Sequence, residues 1–194
     1  AICTYTMPIW VVLLARIVLK EALTPARLLA LALCSLGLLV LLWPLLQAGL
    51  SIGALAAIGS ALSWAIGIIY LKWARIDAHP LTIAVYQIFA GALVSAVGMI
   101  ATGLGLAPEI GALPWLGLLY GIVAGTAFGY LVWFKVLDRL PAGTAGLGTL
   151  LVPVFGVVAS AIILGERPTQ TDLVGFALIL AAALVALRAP APST

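Results

Sequence analysis

Apolar residues fall into seven long runs separated by short polar breaks, at roughly 1–19, 26–46, 53–71, 81–102, 114–136, 145–164 and 171–188. Each run is near the about 20 residues that a helix needs to cross the hydrocarbon core of a bilayer. The breaks carry turn and capping chemistry. Thr24-Pro25 and Thr169 are placed to cap helices. Thr169 with Asp172 three residues on resembles a capping box with Asp in place of Glu. Pro44, Gly49, Pro80, Pro108, Gly111, Pro114, Pro141 and Gly143 mark the remaining breaks as loops. The last residues, 189–194, read as a polar disordered tail.

One stretch is written twice. TMPIWVVLLARIVLKEALT at 6–24 and LLVPVFGVVASAIILGERPT at 150–169 align at an offset of 145 positions, with Pro8 on Pro153, Glu21 on Glu166 and Thr24 on Thr169. Leucine matches in apolar sequence arise easily by chance. A proline, a glutamate and a threonine at fixed spacing, twice, do not, and the pattern reads as an internal repeat.

Composition sharpens the class. Hydrophobic residues make up 65% of the chain and charged residues 8%, with mean hydropathy +1.30. A soluble surface needs roughly 25% charged residues, so the chain reads as an integral membrane protein whose principal partner is the lipid bilayer. The net charge of +3 includes no basic cluster suited to nucleic acid. Cys3 and Cys34 both lie in apolar runs and read as small core residues rather than a disulfide.

Loop charges set an orientation. With the C-terminus cytoplasmic, Arg16, Lys20, Arg27, Lys72, Arg75, Lys135, Arg139 and Arg188 fall at inside ends, and only Arg167 falls outside. That is a strong positive-inside bias. The first and sixth runs, which carry the repeat, then cross in opposite senses, so the two copies are inverted across the membrane plane. Secondary transporters commonly use this architecture to alternate access to a midplane site. Residues 53–188 form a complete five-helix unit on this reading, and 1–46 the last two helices of an earlier one. The expectation is therefore that three helices precede Ala1 and that no signal peptide is present.

The ordered set of motifs resembles the EamA family of the drug/metabolite transporter superfamily. The matching residues are the two P-x(12)-E-x-x-T units, SWAIGIIYLK at 63–72, Gln87 followed by Gly91, and GTAFGYLVWFKVLDRLPAGTA at 125–145. The resemblance implies a polytopic all-α transmembrane bundle of ten helices in two inverted repeats, seven of which this sequence carries. It further implies a multi-pass location in the cell inner membrane and export of small metabolites or amino acids through a central cavity.

Several residues are candidates for function. Trp10, Trp64, Gln87, Tyr130 and Thr149 supply aromatic faces and mild polarity at membrane depth, as a cavity for a neutral, zwitterionic or amphipathic small molecule would. Gln87 stands out, because a buried primary amide must find partners. Pro8 and Pro153 are expected to kink their helices. Gly117, Gly121, Gly125 and Gly129 are expected to let a neighbouring helix pack closely. Glu21 and Glu166 stand at helix ends beside Lys20 and Arg167, and are expected to pair with them or accept from N–H groups of the next helix. Trp43, Trp73 and Trp115 suit an interfacial belt, and His79 a solvated loop.

The centre of no run holds an ionisable residue, which argues against a central carboxylate driving proton-coupled efflux and against an anionic substrate. One His and two Cys make no metal-ligand set, and neither metal nor cofactor is expected. An enzyme would need a nucleophile and base or paired carboxylates at depth, and none is present. A non-transporting regulatory or structural membrane subunit is the alternative reading, and a homodimer remains open.

Overall fold

A computed structural model describes residues 2–49, 51–103, 111–165 and 168–188. The tail at 189–194, Glu166 and Arg167 lie outside them. A 3-10 turn, Ile2–Thr6, leads into α1 (Met7–Val18). Then follow α2 (Pro25–Ala48), α3 (Ile52–Ala74), α4 (Pro80–Thr102) and α5 (Ala112–Tyr120). A π-helical segment, Gly121–Phe128, joins α5 to α6 (Gly129–Arg139). The chain ends with α7 (Ala142–Gly148), α8 (Leu151–Leu164) and α9 (Gln170–Arg188). Among the described residues six helices are long and apolar enough to cross a membrane, and Cys3–Val18 is a shorter apolar helix.

The caps act as their chemistry requires. Thr24 accepts a hydrogen bond from the Arg27 N–H at 3.3 Å and Pro25 opens α2. Thr169 and Asp172 make the reciprocal box: Thr169 N–H donates to Asp172 Oδ2 at 2.9 Å, and Asp172 N–H donates to Thr169 Oγ1 at 3.2 Å. Ser51 caps α3, and His79, placed by its sequence in a solvated loop, caps α4 by accepting from the Leu81 N–H through Nδ1. Two expectations are corrected. Pro44 does not end α2, which runs on to Ala48. The fifth run is not one α-helix but is interrupted by π-geometry across Gly121 and Gly125. Glycine is a poor helix former, and the Thr126 hydroxyl donates to the Gly121 carbonyl five residues back at 3.1 Å, stabilising the wider turn.

The chain divides into two compact units, residues 1–75 with 140–194, and residues 76–139. This grouping cuts across the two repeat copies expected from the sequence. In the first unit α2 and α9 pack along their length and build the core from Ala30, Cys34, Leu38 and Leu41 against Ile179, Ala182, Ala183 and Ala186. Leu147, Leu150 and Val12 complete it. The repeat offset is legible here: Ala30, Cys34, Gly37, Leu38 and Leu41 correspond to Gly175, Ile179, Ala182, Ala183 and Ala186, all buried. The same face is used in both copies. In the second unit α4 packs against α6, and Tyr130 lies against Phe134 with ring centroids 5.8 Å apart. Many of its large apolar side chains, among them Phe89, Val94, Ile100 and Phe128, are exposed. In a bilayer an apolar surface of this kind faces lipid at no cost.

Candidate functional site

The densest polar construction in the first unit gathers on Glu21. Lys20 takes a left-handed backbone (φ 57°) that ends α1, and the chain turns so that Glu21 meets the start of α7. A helix start leaves N–H groups without intrahelical partners and carries partial positive charge. Glu21 satisfies two of them. Its Oε1 accepts from the Ala142 N–H at 2.7 Å and its Oε2 from the Gly143 N–H at 3.2 Å. Arg27 approaches from the first turn of α2 and donates from Nη1 to Glu21 Oε2 at 3.1 Å and to the Ala22 carbonyl at 3.0 Å. Its Nη2 donates to Thr144 Oγ1 at 3.0 Å. Arg27 is 4% exposed and Glu21 16%, so water screens this network little and charge-assisted bonds of this kind are strong. Gly143 is small where smallness counts: a Cβ there would stand 3.3 Å from Glu21 Oε2.

The sequence had pointed to a carboxylate accepting from backbone N–H groups, and Glu21 does so. Its partners differ from those expected, being Arg27 rather than Lys20 and α7 rather than the next helix in the chain. Glu166, its counterpart, lies outside the described residues.

Both repeat prolines are buried and both are preceded by 3-10 geometry. Before Pro8 this is the turn Ile2–Thr6. Before Pro153 the Thr149, Leu150 and Val152 N–H groups donate three residues back, to Gly146, Leu147 and Thr149. Proline removes one intrahelical bond and crowds the carbonyl four residues earlier, so tighter turns upstream are the local answer. The membrane run Ala142–Ile163 is accordingly broken between α7 and α8.

The five residues assigned to a substrate cavity are divided between the units. Trp10, Trp64 and Thr149 lie in the first, Gln87 and Tyr130 in the second. Trp10 is partly buried, and its indole Nε1 is fully enclosed with no hydrogen-bond partner among the described residues. Thr149 donates its hydroxyl to the Gly146 carbonyl at 2.7 Å, at the break itself. Gln87, expected as a buried amide, is exposed on α4. An apolar groove of about 210 Å³ runs between α1 and α3, lined by Leu14, Val18, Ile66, Ile69, Tyr70 and Trp73. It contains none of the five.

The glycine expectation is corrected as well. A Cβ at Gly117, Gly121 or Gly125 would meet no described neighbour within 4 Å, and one at Gly129 only the Ala124 carbonyl of its own segment. Close approach is found elsewhere, at Gly37 and Gly175 between α2 and α9, and at Gly146, where a Cβ would stand 2.8 Å from Val11 Cγ1.

Helices of spanning length, apolar outward surface and a proline-broken run define a polytopic α-helical membrane protein. Comparison with known proteins narrows this. Residues 51–188 match the model of the EamA-like transporter family, and the chain belongs to that family. A "Probable amino-acid metabolite efflux pump" of Salmonella typhimurium is 32% identical over 181 residues, covering 87% of this chain and 60% of that protein. The "Threonine/homoserine exporter RhtA" of the same species is 30% identical, covering 68% of this chain and 44% of the exporter. An "Uncharacterized transporter YvbV" of Bacillus subtilis is 31% identical over 66% of this chain and 42% of its own length. The chain thus spans about half the length of these relatives. A solved structure described as "Crystal structure of protein" superposes with a TM-score of 0.72 at 21% identity, covering 95% of this chain and 64% of that one, which is a likeness of fold. The family and its named relatives point to transport rather than catalysis.

Proposed function

We propose that the chain forms part of a secondary transporter that exports small metabolites or amino acids. It works by alternating access between two inverted five-helix repeats in the cell inner membrane, with the C-terminus cytoplasmic. The observation that carries this reading is the duplicated unit. Two copies of P-x(12)-E-x-x-T lie 145 positions apart, each proline follows a 3-10 turn, and each copy continues into a helix buried on the same face. Inverted duplication is how many transporters obtain two exchangeable states around one site. The printed names of the relatives, an amino-acid metabolite efflux pump and a threonine/homoserine exporter, support an amino-acid-like cargo and outward transport. A neutral or zwitterionic solute agrees with spans that hold no ionisable residue at their centres. In this reading Trp10, Trp64 and Thr149 in the first unit, and Gln87 and Tyr130 in the second, are the candidate substrate contacts of their own units.

The test is flux in membrane vesicles of a pooled panel of amino acids and small metabolites. The protein is expressed from its complete reading frame, with and without Gln87→Ala. Saturable movement of a neutral or zwitterionic solute, reduced about tenfold or more in the variant, is the expected result. That factor corresponds to about 1.4 kcal/mol, near the value of one net hydrogen bond. No saturable movement from a folded wild-type protein would instead favour a regulatory or structural subunit.

A further inference from the structure

We infer that Glu21 and Arg27 form a latch that holds the two repeats together at one membrane face, and that the resting protein is therefore closed on that face. The inference rests on the alternating-access reading above. The orientation given there makes this the cytoplasmic face.

Three observations carry it. The first is what the bonds join. Glu21 and Arg27 belong to the first copy of the repeat, whereas Ala142, Gly143 and Thr144 open a helix of the second. Three hydrogen bonds cross from one to the other: Glu21 to the Ala142 and Gly143 N–H groups at 2.7 and 3.2 Å, and Arg27 to Thr144 Oγ1 at 3.0 Å. Separation of the copies at this face must break all three together.

The second is burial. With Arg27 4% and Glu21 16% exposed, the pair has surrendered most of its hydration. A buried ion pair is a weak device for stability alone, since well-packed apolar residues do as well. What it offers instead is an all-or-none arrangement, made when every partner is in place and costly when half-made.

The third is asymmetry between the copies. At the offset of 145 the counterpart of Arg27 is Asp172. Both are the third residue after a capping threonine, yet they do opposite things. Arg27 reaches out to the other copy. Asp172 folds back on Thr169, whose N–H and hydroxyl donate to it at 2.9 and 2.7 Å. Two identical inverted copies would give two states of equal energy. Positions where the copies differ must set the balance, and a guanidinium at one face with a self-satisfied carboxylate at its counterpart is such a difference.

The test uses a buried reporter beneath the latch. Val12 is 2% exposed and lies 3.7 Å from where a Cβ of Gly143 would stand. Val12→Cys, a close isostere, is introduced into the protein made from its complete reading frame, with the parent, whose Cys3 and Cys34 are buried, as background. A membrane-impermeant maleimide is then applied from either side of oriented vesicles. In Glu21→Gln and Arg27→Met the labelling rate from the cytoplasmic side should rise about tenfold, as a state populated at a few per cent becomes a common one. Thr144→Ala keeps the ion pair and loses one crossing bond, so its rise should be smaller, about threefold. It also carries the test alone if the charge variants fail to fold, as judged by gel filtration. Unchanged labelling in the folded variants overturns the latch and leaves a static tie. An equal rise from both sides overturns it too, because that reports loosening rather than a shift between states. A one-sided rise in a protein whose wild type moves no solute leaves the latch standing and removes the transport reading.

Discussion

Gly37 is the place where a single methyl group should matter most. A Cβ built there stands 2.8 Å from the Gly175 carbonyl oxygen, 2.9 Å from Ile179 Cγ1 and 3.1 Å from Leu178 Cβ. The oxygen is the decisive neighbour, because backbone cannot rotate out of the way as a side chain can. An ordinary van der Waals separation of about 3.5 Å requires α2 and α9 to part by roughly 0.7 Å, along the interface that forms the core of the first unit. Overpacking of this kind costs about 1–3 kcal/mol, and replacing glycine by alanine within a helix returns up to about 1 kcal/mol. The net loss for Gly37→Ala is about 1–2 kcal/mol, which for a chain of this length lowers the melting temperature by roughly 2–8 °C. Cys34, buried three residues away on the same helix, is a built-in reporter: a fluorogenic thiol dye in detergent signals the opening of α2 on heating. Gly59→Ala is the control, because a Cβ there meets no described neighbour within 4 Å, and it should melt at or slightly above the wild type. A Gly37→Ala protein that melts with or above the wild type, or a Gly59→Ala protein that falls as far, would refute the argument that contact distance governs the effect.

Two further outcomes can be measured on the same preparations. Thr169→Ala removes the hydroxyl that accepts from the Asp172 N–H and donates to its carboxylate. It should cost about 1 kcal/mol, and Thr169→Ser should recover most of it; equal melting of the two variants would deny the cap its role. Trp10→Phe keeps the ring and discards an enclosed N–H with no partner among the described residues. Stability should hold or rise, while the half-saturation concentration for transport rises about fivefold, the value of one net hydrogen bond of about 1 kcal/mol. Unchanged transport would assign the indole to packing alone.

How far the sequence could be read depended on how local each signal was. Apolar run length, the caps at Thr24 and Thr169, and the paired prolines are local, because lipid forces every backbone group to be satisfied within its own helix. The boundaries of α3, α4 and α9 followed accordingly. Glu21 was half legible. A carboxylate at a helix end next to free N–H groups is a local inference, but its actual partners lie 121 and 122 residues away, and no spacing announces that. A usable hint did exist in Arg27: a cation at the third position of a helix, where the N-terminal dipole favours an acid and the other copy has Asp172. The glycines misled for the opposite reason. Four-residue spacing at 117–129 is conspicuous, whereas Gly37 and Gly175 belong to no motif, and only the neighbouring helix shows that they must be small. Aligning the copies would have paired Gly37 with Ala182 and Ala30 with Gly175, two small residues at each site. Gln87 shows the remaining limit, since polarity within an apolar helix does not reveal which way the helix is turned.

The matched faces of α2 and α9 have a mechanical consequence. Residues 30, 34, 37, 38 and 41 and their counterparts 145 positions on meet each other, so the seam is built from one surface used against itself. Contacts on a two-fold axis are carried into themselves when inverted copies exchange conformations, and they need not break or re-form in either direction. If the transport cycle proposed above holds, the α2–α9 seam would serve as the axle about which the rest turns. Damage there should reduce how much protein survives heating or synthesis while leaving the affinity and selectivity of each surviving molecule unchanged.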